Sequence, residues 1–139
     1  MSFLVDTNVI SELRKPTARR YPRVAAWVAA ASSRDLFVSA ITILELEVGV
    51  ARKEHLDPAQ GAHLRRWLDL QVIGSFAGRV LLVDLTVARV AALLHVPNPR
   101  PERDTMIAAT ALAHGLTVAT RNIRDFEITG LATVNPWTA

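Results

Sequence analysis

The sequence predicts an α/β fold: a mainly parallel central sheet covered by helices, an α/β sandwich, filling residues 1–139 as a single domain. Three observations lead to it. Short, wholly apolar runs recur at Phe3–Val5, Leu36–Val38 and Val80–Val83, as expected of strands buried on both faces. Segments of helical spacing or alanine-rich composition lie between them, and strands that alternate with helices build parallel sheets. The 139 residues are 50% hydrophobic, enough for one core, and no linker, internal repeat or low-complexity block divides them.

Taken in order, Phe3–Val5 forms a strand that ends at Asp6. Thr7 or Asn8 then stands where a cap is needed for a short helix over Val9–Arg14. Lys15-Pro16-Thr17 breaks that helix. Pro22–Ala31 is rich in alanine, the strongest helix former. Leu36–Val38 is the second strand, and Ser39 caps a helix over about Ile41–Lys53. Ile41, Leu44, Val48 and Ala51 give this helix an apolar stripe. Asp57 and Pro58 supply the cap and first position of the next helix, which runs to about Val72. Val80–Val83 is strand-like and Thr86–Leu94 helical. The prolines at 97, 99 and 101 make a stiff loop that no helix crosses. A helix over about Glu102–His114 stops at Gly115. Thr117–Thr120 is a strand, and Ala132–Val134 a candidate last one.

Composition narrows the chemistry. There is no cysteine, which excludes disulfides, iron–sulfur clusters, thiolate zinc sites and thiol nucleophiles and fits a reducing compartment. Asp6 interrupts the only apolar stretch of Met1–Ile10, so a secretory signal is not expected. No segment offers the roughly 20 apolar residues of a membrane span, since Asp84 and Arg89 break Val80–Val96. The expectation is a cytoplasmic chain with no membrane partner. Sixteen basic residues against 13 acidic ones leave a net charge of +3, which agrees with a nucleic-acid partner without requiring one.

Open parallel sheets bind ligands at the carboxyl ends of their strands. Asp6 ends the first strand, and Asp125 follows the strand before Thr120. Glu45 lies on or beside the apolar stripe of its helix, whereas Glu47, about 200° further round, is expected in water. A carboxylate on an inner helix face is costly without a partner. Asp104 occupies the first turn of a helix, where the dipole favours an anion. Ala108, Ala109 and Ala111 let that helix pack closely. Each acid alone has an ordinary structural explanation, as a helix cap, an edge residue or a helix-end charge.

Together they carry a resemblance. Val5-Asp6-Thr7-Asn8, Glu45 within Ser39–Leu46, Asp104 before Ile107-Ala108-Ala109-Thr110-Ala111, and Thr120-Arg121-Asn122-Ile123-Arg124-Asp125-Phe126 follow the PIN-domain pattern in order and context. The sequence resembles toxins of the VapC type from bacterial toxin–antitoxin pairs, in the branch that ends in Asn-Pro-Trp, here Asn135-Pro136-Trp137. The resemblance spans essentially the whole chain. It implies a three-layer α/β/α sandwich and a metal-dependent endoribonuclease with Asp6, Glu45 and Asp104 as the first three site acids and metal ligands. The fourth implied acid and ligand is Asp125: relatives carry an acid either where Asn122 stands or three residues later, and this sequence has the second arrangement. Whether Asn122 or Asp125 completes the site is open, with Asp125 ligating through water and Asn122 holding a ligand or substrate. Thr7, Asn8, Thr120 and Asn122 would support the acids. A cognate antitoxin, an RNA substrate and a homodimer are further implications.

The residue types suit that chemistry. Converging carboxylates repel one another, and hard divalent cations neutralise them. Mg²⁺ is the natural choice and Mn²⁺ the alternative. Zinc fits less well, because His55, His63, His95 and His114 lie outside the four segments. Arg14, Lys15, Arg19, Arg20 and Arg23 form a basic run that either binds phosphate or is a solvated loop. Arg121 and Arg124 lie nearer the expected site. Trp27, Trp67 and Trp137 are candidates for base stacking or for packing. The apolar faces bearing Val24, Trp27 and Val28, and Ile41, Leu44 and Val48, are candidate grooves for a partner helix. Leu64, Trp67, Leu68 and Val72 are candidate dimer contacts or core. Two other readings stand beside this one. One is a PIN-like module that only binds RNA or protein. The other is a metal-dependent phosphatase with Asp6 as nucleophile, for which the matching second acid is replaced by Asn8 and Lys15 and Lys53 are poorly placed.

Overall fold

The structure, a computed structural model, describes all 139 residues. Five strands, β1 (Phe3–Val5), β2 (Leu36–Ser39), β3 (Val80–Leu81), β4 (Thr117–Ala119) and β5 (Thr133–Val134), form one sheet in the order β3-β2-β1-β4-β5. Every pairing is parallel. The chain steps from β1 outward to β3, then returns to place β4 on the other side of β1. The point where the direction reverses therefore lies between the carboxyl ends of β1 and β4, where such sheets open a crevice.

Alternation along β1 assigns the two outer layers, because successive strand side chains face opposite ways. Val5 packs with Val9, Ile10, Val24, Leu46, Val50, Leu68 and Val72, from α1 (Thr7–Leu13), α2 (Pro22–Ala30), α3 (Ala40–Leu56) and the α4 segment (Pro58–Arg66, continued by π-helical turns over Trp67–Ile73). Leu4 faces the other layer, with Ile107, Ala108 and Ala111 of α6 (Glu102–His114), which α5 (Leu85–Leu94) covers through Val87, Ala91 and Ala109. The α/β/α sandwich is as the sequence predicts.

Local chemistry sets the boundaries. Ser39 Oγ accepts from the Ile41 amide at 3.0 Å and Asp57 Oδ1 from the Gln60 amide at 3.2 Å. Gly115 ends α6 in the left-handed region at φ 66°, open to glycine at no steric cost. The cap of α1 differs from the expectation: it is Asp6, not Thr7 or Asn8, whose Oδ1 accepts from the Thr7 amide at 2.8 Å. The helix starts that much earlier because the aspartate ending the strand already meets its first free amide.

The stripe expected on α3 is also corrected. Thr42, Leu46 and Val50 are its buried residues, while Leu44 is 45% exposed and Ala51 is exposed. Counting only aliphatic residues passed over Thr42, which is fully buried although its hydroxyl has no partner. Glu47 faces water as expected, with 38% of its side chain exposed, but it is also paired. Arg65 on α4 reaches back to Glu47 at 2.7 Å and Glu54 at 3.1 Å, and also lies 3.6 Å from Asp69. Leu68 and Val72 are buried core, and Leu64 and Trp67 pack against it. Packing thus accounts for the residues considered above as dimer contacts.

The crossing of α3 and α4 depends on Gly61, which is buried. A Cβ there would lie 2.4 Å from Glu54 Cα and 2.6 Å from its nitrogen, so the helices would have to part. Gly61→Ala is expected to destabilise the fold by about 1–3 kcal/mol, as overpacking does. At Gly49, also in α3, a Cβ meets nothing within 4 Å. Gly49→Ala is expected to stabilise by about 0.5–1 kcal/mol through helix propensity. Urea denaturation of the pair measures both signs.

Candidate active site

Asp6 leaves β1 at the point of reversal. Its amide donates to the Ala119 carbonyl at 2.9 Å, extending the ladder with β4 by one bond. That bond brings Thr120 beside it, and the Thr120 hydroxyl donates to Asp6 Oδ2 at 2.8 Å. Asn8 Nδ2 donates to the same oxygen at 3.3 Å. The other oxygen, Oδ1, holds the Thr7 amide. The Thr7 hydroxyl donates to Glu45 Oε1 at 2.8 Å, which ties α3 to the end of β1. Asn8 Oδ1 accepts from the Arg121 amide at 3.2 Å, and Thr120 Oγ1 from the Asn122 amide at 3.0 Å. One small network therefore fixes the loops after β1 and β4 against each other.

Asp104 enters from the opposite layer, on the first turn of α6. Ala108, Ala109 and Ala111 are fully buried, so this helix lies close on the sheet and its N-terminus is held firmly. Asp6, Glu45 and Asp104 line one open cleft of about 460 Å³, together with Thr7, Asn8 and Asn122 and the cations Arg14, Lys15 and Arg121. Asp125 is exposed, on the short turn Ile123–Phe126, and is not part of the cleft wall. Its charge nevertheless acts on both Asp6 and Asp104. Arg124 is exposed on the same turn and does not line the cleft. Arg19 and Arg20 line a second cleft that adjoins the first.

Burial and mutual repulsion govern these acids. Burial pushes the Asp6 carboxyl above its ordinary range; hydrogen bonds from Thr120 and Thr7 pull the other way, and Glu45 and Asp125 add to the rise. Asp104 is pushed up to about 6, first by burial, then by the charges of Asp125, Asp6 and Glu45. Carboxylates that raise one another in this way are a site for positive charge. The donors are all oxygen, as hard divalent cations prefer. No group of three or more acidic or histidine side chains is arranged to hold a metal ion; the acids stand apart around the open cleft. In donor type, though not in spacing, the acids fit a divalent cation.

Sequence reasoning passed over Glu12. It is 7% exposed, and its carboxylate accepts from Lys15 Nζ at 2.9 Å and from the Tyr21 amide at 3.0 Å. These bonds pull the Glu12 carboxyl below its ordinary range. Glu12 thereby anchors both ends of the basic loop beside the cleft. Its only sequence signal is the i,i+3 spacing to Lys15. Arg20 is more structural than the basic run suggests, donating to the carbonyls of Lys15 at 3.0 Å and Leu13 at 2.7 Å. Arg23 donates to the Thr138 carbonyl at 3.2 Å. Trp137, 8% exposed, carries the Arg121 guanidinium 5.2 Å from its ring centroid. Trp27 packs edge-on to Phe3.

A carboxylate cleft at the reversal point of a parallel five-stranded sheet, rimmed by arginine and lysine, defines a class of phosphate-ester chemistry. The comparisons with known proteins give the family. Residues 3–130 match the PIN domain, and the chain belongs to the PIN-domain family. It is 41% identical to the VapC ribonuclease Y4jK of Sinorhizobium fredii, over 96% of each chain. It is 38% identical to the toxin FitB of Neisseria gonorrhoeae, over 96% of this chain and 97% of that one. Among solved structures, the FitAcB complex from Neisseria gonorrhoeae contains a chain 37% identical to this one, with a TM-score of 0.88 and 99% of both chains covered. The structure of FitAB bound to a DNA fragment gives 0.87 at 36% identity.

Proposed function

We propose that this protein is the toxin of a toxin–antitoxin pair and acts as a metal-dependent endoribonuclease. The observation that carries the reading is the meeting of Asp6, Glu45 and Asp104, from three separate elements, in a cleft whose rim is cationic. The relatives named ribonuclease and toxin, similar over almost their whole length, support it.

Asp6, Asp104 and Glu45 would hold the cation, Mg²⁺ or Mn²⁺, which supplies positive charge to the phosphate and makes water a better nucleophile. The protein's own groups do the rest. Thr120, Asn8 and the Thr7 amide fix both oxygens of Asp6, which suits a ligand better than a free nucleophile and speaks against an aspartyl-phosphatase. Thr7 steers Glu45 into the cleft. Arg14 and Arg121 draw the RNA backbone toward the acids.

The partner is an antitoxin that binds as a helix in a groove. The apolar groove lined by Ile10, Leu13, Val28, Trp67, Val72 and Phe76 suits such a helix. A neighbouring hollow bearing Leu46, Val50, Leu64 and Trp67 continues to Thr7, Arg14 and Glu45, so the bound segment would lead into the active cleft. Val24, considered above for this role, is fully buried and takes no part. A homodimer and a cytoplasmic setting belong to the same reading; no helix is long and apolar enough to cross a membrane.

The test is incubation of the pure protein with labelled RNA in Mg²⁺, in Mn²⁺ and in EDTA. Cleavage in either metal that EDTA abolishes is expected. Metal-independent cleavage, or hydrolysis of a small phosphomonoester in its place, would contradict the reading. Within the site, Asp125→Ala is expected to reduce cleavage by about tenfold, less than Asp6→Ala, because Asp125 acts across solvent. Asn122→Asp, which puts an acid on the cleft wall, is expected to retain cleavage. Rates at equal metal concentration rank the three; Asp125→Ala as the most damaging change would put Asp125 among the direct ligands.

A further inference from the structure

A second cleft of about 320 Å³ opens beside the carboxylates and shares Glu12, Lys15, Arg121 and Trp137 with the first. Its remaining walls are Arg19, Arg20, Tyr21 and Pro22. Four cations face one carboxylate there, and that carboxylate is already paired with Lys15. Arg20 is spent on backbone carbonyls. Arg19 is exposed and makes no side-chain hydrogen bond or ion pair. Arg121 is exposed too, with its guanidinium lying over the Trp137 ring. Tyr21, 47% exposed, stands at the edge. The cleft thus has one free cation, one guanidinium plane backed by an indole, and a loop that Glu12 and Arg20 hold in place.

We infer that this second cleft is a nucleotide subsite for single-stranded RNA, next to the position of cleavage: Arg19 takes a backbone phosphate, and one unpaired base stacks on the Arg121 guanidinium above Trp137. The inference rests on the ribonuclease reading and names its substrate class. Unpaired bases stack on aromatic rings and on arginine planes, whereas bases within a duplex have both faces covered. A guanidinium supported from behind by an indole is already oriented for that contact. The two clefts share a wall, so a strand lying in the second places its neighbouring phosphate at Asp6 and Asp104.

The experiment measures binding of a fluorescent RNA heptamer, single-stranded and as a duplex, in EDTA over a series of salt concentrations. The single strand is expected to bind more tightly than the duplex. Arg19→Ala should weaken binding and make the salt slope shallower by about 0.7, the value for one phosphate contact on a single strand. Arg121→Lys keeps the charge and loses the plane; it should leave the slope unchanged and weaken binding by about tenfold, as loss of one stacked base does. Arg34→Ala, at the opposite edge of the sheet before β2, removes equal charge and should change neither quantity. An unchanged slope in Arg19→Ala, with unchanged affinity in Arg121→Lys, overturns the subsite, as does equal binding of the duplex. Variants that bind RNA like wild type but lose the antitoxin would assign the cleft to the protein partner. Wild-type cleavage in Mg²⁺ alongside unaltered variants overturns the subsite alone. Tight wild-type binding without cleavage in any metal overturns the catalytic reading alone.

Discussion

Asp104→Asn and Asp6→Asn are each expected to slow RNA cleavage by about a thousandfold or more while leaving the protein folded. The magnitude follows from what a ligated cation contributes at a phosphate, several kcal/mol of charge stabilisation. Retention of the fold follows from the local bonds. Asparagine caps a helix as well as aspartate does, so its one side-chain oxygen keeps the Thr7 amide, while its NH2 takes the place of Oδ2 and donates to the Thr120 hydroxyl, which also accepts. Asp104 makes no hydrogen bond within the protein that asparagine would lose; its neighbour Thr105 instead caps back to the Pro101 carbonyl at 2.7 Å. Rates on labelled RNA, circular dichroism and growth of cells expressing each variant check the three parts together. A folded Asp104→Asn protein that cleaves at nearly the wild-type rate would remove Asp104 from the site.

The second large effect is on stability. A carboxyl lifted to about 6 from an ordinary 3.8 binds its proton more tightly in the folded chain than in the unfolded one. Its contribution favours folding below pH 4, declines as the pH rises from about 4 through 6, and stays unfavourable at neutral pH. Because Asp104 is partly open to water, solvent screening reduces the cost to about 1 kcal/mol. Asp104→Asn removes it, so in EDTA at pH 7 the variant is expected to melt a few degrees above wild type. At pH 4 the two should melt together. Divalent metal reverses the order: at a hundredfold excess over Kd it stabilises the wild type by about 2.7 kcal/mol and the variant by less. Melting curves at pH 4 and pH 7, with EDTA and with Mg²⁺, give all four values. A variant less stable than wild type in EDTA, with an undiminished Mg²⁺ shift, would make Asp104 a helix-end charge and nothing more.

The elements were readable wherever local chemistry decides them. Ser39, Asp57 and Gly115 mark helix ends by their own side chains or lack of one, and the apolar runs at Phe3 and Leu36 are strands because both faces are covered. The inner face of α3 was not readable from apolar spacing, because Thr42 is buried and Leu44 is not. Only the positions of α4 and the sheet decide that, as they decide that Gly61 must lack a side chain. For the candidate site, the placement of Asp6, Glu45 and Asp104 on one cleft could be anticipated from strand ends and family resemblance together. Glu12 could not: a glutamate in the last turn of a short helix looks solvated until the loop it anchors folds back over it. The basic run, uniform in sequence, divides in space. Arg20 and Arg23 bind backbone carbonyls, Lys15 pairs with Glu12, and Arg14 and Arg19 remain free at the clefts.

The most direct measurement is crystallographic: crystals equilibrated with Mn²⁺, with diffraction recorded at the manganese absorption edge. The arrangement described above predicts an anomalous peak in the first cleft, within bonding distance of Asp6 and Asp104 oxygens, and no such peak in Asp104→Asn crystals treated alike. A peak bound elsewhere, or an empty cleft at a Mn²⁺ concentration that supports full RNA cleavage in solution, would contradict a metal-dependent site built on these carboxylates.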